Sequence, residues 1–391
     1  MPSFPRVLVV HNRYQQRGGE DIVFDSEVEL LRSRGHTVEI YSRDNSHINE
    51  LSKAELALNT VWSLRTTADL NKRIKEARPD VIHVHNIFPL VSPSLYWAAS
   101  QKNVPIVQTL HNFRMLCPQA MFLRENLICE ACLGRSPWRG VVRRCYHNSV
   151  AQTAVLAGML AVHRTIGTYD HKIARYVALN VFSRDKFIEG GLPPERIVVK
   201  PNFIDIPEKN STTRKGALFV GRLAAEKGIS LLVSALERLP NLTIDVVGMG
   251  PEAATIMAHP RANVLGVKSH DEVIEKMRNA SYLVMPSIWY ETFALVVMEA
   301  FACSLPVIAP NIGSMKEMIE EGHTGLLFDF GSLDSLTEKI RWAEEHPQDM
   351  IRMGRNARRE YEKKYTSSKN YQMLMAIYEE AIGEQQQKYA S

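Results

Sequence analysis

The stretch "SIWYETFALVVMEAFACSLPVIAP", Ser287–Pro310, indicates the type of fold and raises a chemical question. The preceding "SYLVMPS" predicts a buried strand, "ALVVMEAFAC" predicts a helix, and "LPVIAP" predicts the next strand. Strand, helix and strand in this order are typical of a parallel α/β domain. The stretch is mostly apolar, yet it contains Glu291 and Glu299. Because a carboxylate without a partner is costly to bury, both acids are expected to face polar groups.

The same alternation extends over both halves of the chain. In the first half, "RVLVV" at 6–10 begins a series that continues with "HTVEIYS", "DVIHVHN" and "VPIVQTLHN". A second series begins with "KGALFVGRLAAEKG" and continues through "LTIDVVGMGP", "ANVLGV" and "TGLLFD". The sequence therefore predicts an α/β protein with two Rossmann-like, doubly wound parallel-sheet domains. They are expected to face a cleft, since such sheets bind ligands at the carboxyl ends of their strands.

The expected domain boundaries lie where this alternation of strands and helices is interrupted. Residues 1–200 form the predicted N-terminal domain, and 201–346 form the C-terminal domain, which begins with a polar linker at 201–216. Residues 347–391 are predicted to be helices that pack back on the N-terminal domain. A segment rich in cysteine and arginine, 113–149, interrupts the first series and is interpreted as an insertion in the N-terminal domain.

The composition is that of a globular protein, with 391 residues of which 45% are hydrophobic and 23% are charged. No apolar run approaches the roughly 20 residues of a membrane helix, and the N-terminus does not resemble a signal peptide, so a cytoplasmic protein is expected. Residues 1–180 hold 22 Lys and Arg against 15 Asp and Glu. This excess of positive charge suits an anionic partner, such as a phosphate or an anionic membrane surface. The alternative is a basic surface that is simply solvated. Nucleic acid is not expected, because no basic run is interleaved with aromatic residues.

Polar residues follow the first strand of the second series. Gly221 ends that strand, Arg222 lies in the turn, and Lys227 lies near the start of the next helix. A guanidinium fork and an ammonium group beside a glycine turn suit a diphosphate, and two solvated surface cations are the alternative. Gly250, in "VVGMGP", would let a ligand approach the backbone, and a plain tight turn is its alternative.

The two glutamates of the opening stretch suit the two ends of a nucleotide sugar. Glu291 is expected at or just before the start of the helix and Glu299 about two turns inside, roughly 12 Å apart along the axis. The helix N-terminus between them offers N–H groups and a positive dipole end to a diphosphate. Glu291 is therefore a candidate for sugar hydroxyls and Glu299 for ribose hydroxyls. The alternative is a capping glutamate and a helix acid paired with a neighbouring arginine.

The N-terminal half contributes further candidates at strand ends. Gly18 and Gly19 follow the first strand in a loop that can approach the diphosphate or the acceptor. His111 directly follows the fourth strand and is a candidate contact to substrate, although a lone histidine is more often structural. His83 and His85 point to the same side of their strand. No acid lies near them in sequence, so packing and hydrogen bonding are favoured over metal binding.

The cysteine cluster suggests a structural metal site. Four cysteines have the spacing C-x11-C-x2-C-x12-C, and a CxxC pair with two flanking cysteines fits a tetrahedral zinc site. Reduced thiols, a redox-sensitive pair and a chance cluster are the alternatives. The nearby arginines with Trp138 suit an anionic membrane surface or a solvated loop equally. The candidate zinc ligands are Cys117, Cys129, Cys132 and Cys145.

Together these motifs resemble the retaining glycosyltransferases of family 4, also called glycosyl transferases group 1, which have the GT-B fold. The resemblance covers nearly the whole chain through "RGGED", "TLHNF", "KPNFID", "VGRLAAEKG", "VGMGP" and above all "ETFALVVMEAFACSLPVIA". It implies an enzyme of EC class 2.4 that moves a sugar from a nucleotide diphosphate donor, UDP- or GDP-linked, to an acceptor hydroxyl with retention of configuration. It implies no catalytic cofactor or metal. The expected acceptor is a glycan or lipid-linked glycan in polysaccharide or glycoconjugate biosynthesis.

The resemblance also implies roles for single residues. Arg222 and Lys227 match the pair that holds the donor diphosphate. Glu291 matches the acid on the donor sugar, Glu299 the acid on the ribose, and His111 a histidine near the sugar. The family usually has glycine where this chain has Ala294, which bears on the identity of the donor sugar. The residues that match backbone contacts to the donor are Gly18, Gly19, Phe293, Ala294 and Leu295.

Two other functions are compatible with the same fold. One is a sugar-nucleotide 2-epimerase, against which the combination of "VGRLAAEKG" and "ETFALVVMEA" argues. The other is a protein that binds a nucleotide sugar without catalysis, since a fold does not determine a function. The presence of Arg222, Lys227, Glu291 and Glu299 together argues against an inactive site.

Overall fold

The protein is described here by a computed structural model that covers residues 4–209 and 214–390. The chain divides into two compact units. The first unit comprises Met1–Met121, Glu130–Asn202 and Asn370–Ser391, and the second comprises Phe122–Cys129 and Phe203–Lys369. The division after Asn202 lies in the predicted linker at 201–216, of which residues 210–213 lie outside the described residues.

The N-terminal part of the chain forms a six-stranded parallel sheet. Its central strands begin with aliphatic residues and are buried along nearly their whole length, as expected of a parallel sheet covered by helices on both faces. The strands in chain order are β1 (Val7–Arg13), β2 (Val38–Asp44), β3 (Val81–Asn86), β4 (Ile106–Leu110), the hairpin strands β5 (Leu123–Arg124) and β6 (Leu127–Ile128), β7 (Arg175–Ala178) and β8 (Ile197–Val199). The order in the large sheet is β2-β1-β3-β4-β7-β8.

Eight helices accompany these strands. α1 covers β1 with an apolar face that includes Phe24, Val28 and Leu31, which pack with Val7 and Val9 in the core of the first unit. The helices are α1 (Gly19–Ser33), α2 (Lys53–Val61), α3 (Leu64–Ala77), α4 (Ser94–Gln101), α5 (Trp138–Val142), α6 (Val150–Thr165), α7 (Thr168–His171) and α8 (Val181–Glu189).

The second unit contains another six-stranded parallel sheet. Its order is that of a doubly wound fold, in which the chain reverses its direction across the sheet between the first and fourth strands. The strands are β9 (Ala217–Val220), β10 (Ile244–Val247), β11 (Ala262–Gly266), β12 (Tyr282–Val284), β13 (Val307–Pro310) and β14 (Gly325–Phe328). Their order is β11-β10-β9-β12-β13-β14, so β9 and β12 are neighbours at the reversal.

The remaining helices include the C-terminal tail. They are α9 (Ile229–Arg238), α10 (Ala253–Met257), α11 (His270–Asn279), α12 (Leu295–Ala302), α13 (Gly313–Met318), α14 (Leu333–Glu345), α15 (Pro347–Lys364) and α16 (Ser367–Ala390). None of the helices in the described part of the chain is both long and apolar enough to cross a membrane.

The tail is divided between the two units, which differs from the expectation that 347–391 pack as a whole on the N-terminal domain. α15 packs against α12, and its Ala357 and Tyr361 belong to the core of the second unit. Leu374 and Tyr378 of α16 belong to the core of the first unit. The apolar faces of the two helices determine this division, because each must be buried against a different sheet.

Several element boundaries also differ from the sequence prediction. β1 continues to Arg13, three residues beyond the aliphatic run at 6–10. The helices α6 and α7 are separated at Gly167, whose φ of 66° lies in the left-handed region that glycine adopts without strain. In the segment interpreted as an insertion, the structure has the β5–β6 hairpin and the short α5.

Candidate functional site

The site candidates of the second unit lie where its sheet changes direction. Ligands bind open α/β sheets at this position, outside the carboxyl ends of the strands. Gly221 directly follows β9, and Lys227 ends a short 3-10 turn six residues later. Glu291 follows the neighbouring β12, and the loop that carries it leads into α12. A backbone hydrogen bond of 2.9 Å, from Ile288 N to Glu226 O, joins the two loops.

Lys227 and Glu291 form the central contact of this site. The Lys227 ammonium lies 2.6 Å from Glu291 Oε1, and the two side chains are 24% and 7% exposed. The same oxygen accepts hydrogen bonds from Ser287 Oγ and Trp289 Nε1, each at 2.9 Å. The ammonium also lies 5.4 Å from the centre of the Trp289 ring. The carboxylate thus keeps two neutral donors when the lysine turns to another anion, so the cation is available to a ligand.

Arg222 is placed in the same loop but differs in exposure. Its guanidinium pairs with Glu226, one helical turn further along, and its side chain is 60% exposed. The contact is on the surface and contributes little to stability. A long, exposed guanidinium can change partner at small cost, so Arg222 can reach a phosphate next to the loop.

The glycines of this region allow close contacts between backbone segments. A methyl group on Gly248 would lie 1.9 Å from Gly221 O, and one on Gly250 would lie 2.3 Å from Leu223 O. The sequence suggested Gly250 as a contact to the ligand. The structure shows that a larger residue there would collide with the backbone of Leu223. Gly228 follows Lys227 with φ of 73°, and a methyl group there would lie 1.9 Å from Pro286 O, just after β12. These contacts set the spacing of the loops that carry the lysine and the glutamate.

We expect Gly228→Ala to destabilise the second unit more than Gly266→Ala does. Gly266 has a similar φ of 71° but no atom within 4 Å of the added methyl group, so it isolates the cost of the left-handed backbone, roughly 1–2 kcal/mol. Gly228→Ala adds the collision with Pro286 and should cost about 1–3 kcal/mol more. Urea unfolding of both variants measures the difference. Equal costs would mean that the two loops are not in this close contact.

Glu291 lies farther from the start of the helix that carries Glu299 than the sequence suggested. α12 starts at Leu295, so Glu291 lies four residues before the helix and Glu299 lies in its second turn. The helical rise therefore does not measure the separation of the two acids. Ala294 is the N-cap and has no side-chain cap, which leaves the backbone N–H groups of Leu295 and its neighbours to other partners. Phe293 packs beside this helix start against the core of the second unit.

The carboxyl group of Glu299 is a weaker acid than an ordinary glutamate. Its side chain is 16% exposed and its Oε1 lies 3.7 Å from His270 Nδ1. Burial raises the pKa of Glu299 to about 7. The carboxyl group therefore changes its charge near neutral pH, and a ligand that donates hydrogen bonds to the carboxylate would favour the ionised form.

In the first unit, the candidates lie at the ends of β1 and β4. Gly18 is the N-cap of α1 and Gly19 its first residue, and Gly18 N donates to Asp21 Oδ2 at 2.9 Å. Asp21 Oδ1 lies 2.8 Å from His11 Nε2, which anchors the glycine loop to β1. His111 is 7% exposed, and burial, with the neighbouring His85, lowers its pKa well below the ordinary value.

Glu20 is a further site candidate, which was not predicted from the sequence. Its carboxylate accepts hydrogen bonds from Tyr14 Oη and Asn112 Nδ2, each at 2.8 Å. Burial raises the pKa of Glu20 despite these two donors. A small cavity of about 50 Å³ lies close by, lined by His111, Asn112 and Arg114 among others. The signal was present in "RGGED" and "TLHNF", since both motifs end at the same edge of the sheet.

Glu27 and Lys200 are buried in the first unit and were not predicted from the sequence either. They form an ion pair of 2.9 Å, and their side chains are 2% and 1% exposed. A usable signal was the position of Glu27 on the apolar face of α1, four residues from both Val23 and Leu31. This is the acid whose apparent absence made metal binding by His83 and His85 look unfavourable.

The zinc site remains a prediction. Cys117 and Cys132 are buried, and Cys129 and Cys145 are half-buried. Among the residues that the structure describes, the one group of three potential ligand atoms within 4.8 Å of one another is Glu27, His83 and His85, and no cysteine belongs to it.

Two family models match the chain. The model described as Glycosyltransferase Family 4 matches residues 17–208, and the model described as Glycosyl transferases group 1 matches residues 202–360. The chain belongs to glycosyltransferase family 4. The two matches meet near the division between the two units. The predicted family is confirmed.

Curated relatives of this family 4 chain match it over part of their length. An uncharacterised glycosyltransferase of Methanocaldococcus jannaschii is 33% identical over 169 residues, which are 42% of this chain and 47% of the relative. Sulfoquinovosyl transferase of Arabidopsis thaliana is 33% identical over 37% of this chain and 30% of its own. The chain therefore spans less than half the length of these two relatives. Alpha-maltose-1-phosphate synthase of Mycolicibacterium smegmatis is 26% identical over 71% of each chain.

Solved structures share the fold of this family 4 chain over nearly its whole length. Sucrose-phosphate synthase of Thermosynechococcus elongatus has a TM-score of 0.70 at 16% identity and covers 99% of this chain and 100% of its own. HepE of Anabaena in complex with UDP has a TM-score of 0.67 at 17% identity. The match covers 95% of this chain and 98% of the HepE chain. At these identities the likeness concerns the fold. The prediction of a GT-B fold with two Rossmann-like domains is confirmed.

Proposed function

We propose that this protein is a retaining glycosyltransferase that uses a nucleotide diphosphate sugar. The observation that carries the proposal is the 2.6 Å contact between Lys227 and Glu291 at the point where the second sheet changes direction. The bond broken in such a donor joins the sugar to the phosphate, so groups that bind these two parts must lie next to each other. An ammonium and a carboxylate in contact meet that requirement.

The proposed roles follow from the charge and exposure of each group. Lys227, Arg222 and the backbone N–H groups at Phe293, Ala294 and Leu295 bind the diphosphate and stabilise the charge that grows on it. Glu291 accepts hydrogen bonds from sugar hydroxyls while Ser287 and Trp289 hold it in place. Glu299 accepts hydrogen bonds from the ribose. Gly18, Gly19 and His111 are further proposed contacts to the substrates, and Gly221 and Gly250 shape the loops around the donor.

The proposed step needs no covalent enzyme intermediate and no catalytic cofactor. The bond between the anomeric carbon and the phosphate oxygen breaks, and a bond from the anomeric carbon to the acceptor oxygen forms on the same face. The acceptor proton moves to an oxygen of the leaving phosphate, whose negative charge is stabilised by the lysine and the arginine. The resemblance to family 4 supports this route.

The proposed substrates follow from the relatives and from the charge. HepE of Anabaena was solved with UDP and with UDP-glucose, which favours UDP as the first donor to test and GDP as the second. The excess of basic residues in 1–180 suits a phosphate-bearing or lipid-linked glycan acceptor. We therefore place the protein in the cytoplasm, with peripheral contact to the membrane face through that acceptor.

Product analysis tests the proposal against its alternatives. The protein is screened by thermal shift against UDP, GDP, ADP and their common sugars, and the sugar that stabilises it is then incubated with glycan acceptors. Transfer to an acceptor with retained configuration supports the proposal. A sugar epimerised at C2 indicates the epimerase, and a donor bound but unchanged with every acceptor indicates a binding protein.

Nucleotide binding is expected to strengthen roughly tenfold between pH 6 and pH 8. The carboxyl of Glu299, with a pKa of about 7, is mostly protonated at the lower pH, and a carboxylate binds ribose hydroxyls more strongly than a carboxylic acid does. Titration calorimetry at both pH values measures the change. Glu299→Gln should remove it, apart from the change that the phosphate itself contributes. The same pH change in the variant would exclude Glu299 as its source.

The same pKa predicts how Glu299 affects stability. Its folded pKa lies above the ordinary value near 4.5, so folding takes up a proton between about pH 4.5 and pH 7. The contribution of this group to the free energy of unfolding therefore falls as the pH rises through that window, and Glu299→Gln should not show the fall.

A further inference from the structure

One segment of the first unit carries positive charge that no acid of the same segment neutralises. Residues 131–169 contain five arginines but no aspartate or glutamate. Arg139 and Arg144 are exposed, and neither has an ion pair with any residue that the structure describes. Glu130, the acid that precedes the segment, is already paired with Lys186 at 2.8 Å. The segment therefore presents its charge to an external anion.

The short helix α5 in this segment exposes apolar and basic side chains together. Trp138 is 48% exposed, and Val142, about one turn further along, is 84% exposed. Arg139 lies next to them around the helix, because successive residues of a helix are about 100° apart. Gly140 lies on the inner side, where an added methyl group would be 3.1 Å from Pro118 Cγ. The outer side of α5 therefore combines an indole, an isopropyl group and a guanidinium.

The outer side of α6, which packs against α5, carries no charge over most of its length. Val150 and Val162 are 48% and 42% exposed. Between these valines, the residues that are not buried are alanine, valine and glycine, apart from Gln152. A methyl group added to Gly158 would meet no atom within 4 Å. A helix side that faces water normally carries polar residues, so this apolar side is typical of a contact surface.

We propose that Trp138, Arg139, Val142, Arg144 and the outer side of α6, here called the α5–α6 surface, dock the protein on an anionic lipid bilayer. Indole rings are favoured at the boundary between headgroups and acyl chains. The arginines attract lipid phosphates, and the valine and alanine side chains meet the acyl chains. The inference goes beyond the proposed function, which brings the protein to the membrane through its acceptor, because this contact needs no glycan.

Other occupants fit the α5–α6 surface less well. A second copy of the chain, related by a twofold axis, would bring the same basic surface against itself without an acid between the charges. A nucleic acid would satisfy the arginines but would place its hydrated phosphates against the uncharged side of α6. Water alone would leave the apolar groups of Trp138, Val142 and α6 exposed side by side. A bilayer satisfies both the charged and the apolar groups.

Co-sedimentation with vesicles tests the proposal on the full-length protein, without nucleotide or acceptor. Vesicles of phosphatidylcholine alone are compared with vesicles in which phosphatidylglycerol is about a third of the lipid. Binding to the anionic vesicles should be stronger by about tenfold or more, since each arginine near such a surface contributes about fivefold. It should weaken at about 1 M salt, where the Debye length is about 3 Å. Equal binding to both vesicles, or binding to neither, would overturn the proposal.

Arg139→Gln with Arg144→Gln tests the charged part of the surface. This double variant should lower the affinity for anionic vesicles by roughly 25-fold. The matched control is Lys72→Gln with Lys75→Gln, which removes two exposed lysines of α3 in the same unit. The control has the same net charge and should lower the affinity by less than about twofold, because attraction to the bilayer falls off within a Debye length. An equal loss in both variants would overturn the assignment of the surface.

Quenching by lipids brominated in their acyl chains tests the apolar part. Vesicles of these lipids should quench part of the tryptophan fluorescence of the unmodified protein, which has five tryptophans. Trp138→Phe keeps an apolar ring on the surface, so it should still bind but should lose most of this quenching. Undiminished quenching in this variant would show that another part of the molecule enters the bilayer and would overturn the proposal.

Two further measurements decide between the bilayer and the other occupants. A dimer in lipid-free solution that Trp138→Ala with Val142→Ser dissociates would assign the surface to a second copy of the chain. An oligonucleotide bound more tightly than anionic vesicles, and lost in the double arginine variant, would assign it to nucleic acid. Either result would overturn the proposal. None of these experiments needs turnover, so the proposed function can fail while the docking surface holds, and a protein that ignores vesicles can still transfer sugar to a soluble acceptor.

Discussion

Replacing Lys227 with alanine is expected to lower kcat by about 100- to 1,000-fold. The size follows from the loss of one preorganised positive group beside a leaving phosphate, an effect of the same kind as the removal of an oxyanion-hole donor. Lys227 is the better buried of the two cations in the site, with a side chain 24% exposed against 60% for Arg222. Steady-state kinetics with the donor and acceptor found by product analysis measure the change.

The control for this variant is Lys209→Ala. Lys209 pairs with Glu275 on the surface of the same unit, at 3.2 Å and with 63% of its side chain exposed, so its loss should leave kcat within a factor of two. Lys227→Ala should still fold, because Glu291 keeps its hydrogen bonds to Ser287 and Trp289. A fully active Lys227→Ala enzyme would rule out the assignment of this lysine to the leaving phosphate.

Glu27→Ala is expected to destabilise the first unit by roughly 3–5 kcal/mol. The substitution leaves the ammonium of Lys200, which is 1% exposed, in the interior without its carboxylate. The double variant Glu27→Leu with Lys200→Met removes both charges and should recover most of this loss, since an apolar pair of similar size avoids the desolvation of two ions. Urea unfolding followed by fluorescence measures the effect, with separate transitions if the units unfold separately.

A double variant as unstable as Glu27→Ala would show that the pair is needed for more than the neutralisation of charge. The pH dependence gives an independent check. The folded pKa of Glu27 is well below the ordinary value, so its stabilising contribution is present above about pH 4.5 and is lost as the pH falls through the folded pKa. His85, with a pKa of about 4, acts in the same direction, because the unfolded chain binds its proton from about pH 6.5 downward.

The arrangement of strands could be predicted from the sequence because the relevant signals are local. Aliphatic runs such as "VLVV" and "LPVIAP", separated by helical segments and glycine turns, define a parallel sheet without knowledge of distant contacts. The candidates at strand ends, such as Arg222 and His111, follow from the same pattern, because the carboxyl ends of parallel strands meet at one edge. The position of Glu291 was predicted less well, because it lies in the loop four residues before α12 and not at the start of the helix.

The partners of the polar side chains could not be predicted in the same way. Glu27 is 56 residues from His83 and 173 from Lys200, and no local pattern relates the three. Similarly, the contact of Lys227 with Glu291 joins residues 64 apart, and the sequence suggested separate ligands for them.

The sequence by itself therefore determined the class of the fold, the family and the loops that carry the site, since periodicity and short motifs depend on neighbouring residues. Only the tertiary structure decided which charges neutralise each other and which acid is buried enough for its pKa to lie near 7. These properties depend on burial and on the few ångströms between atoms of distant residues, because electrostatic energies are large only where water is excluded.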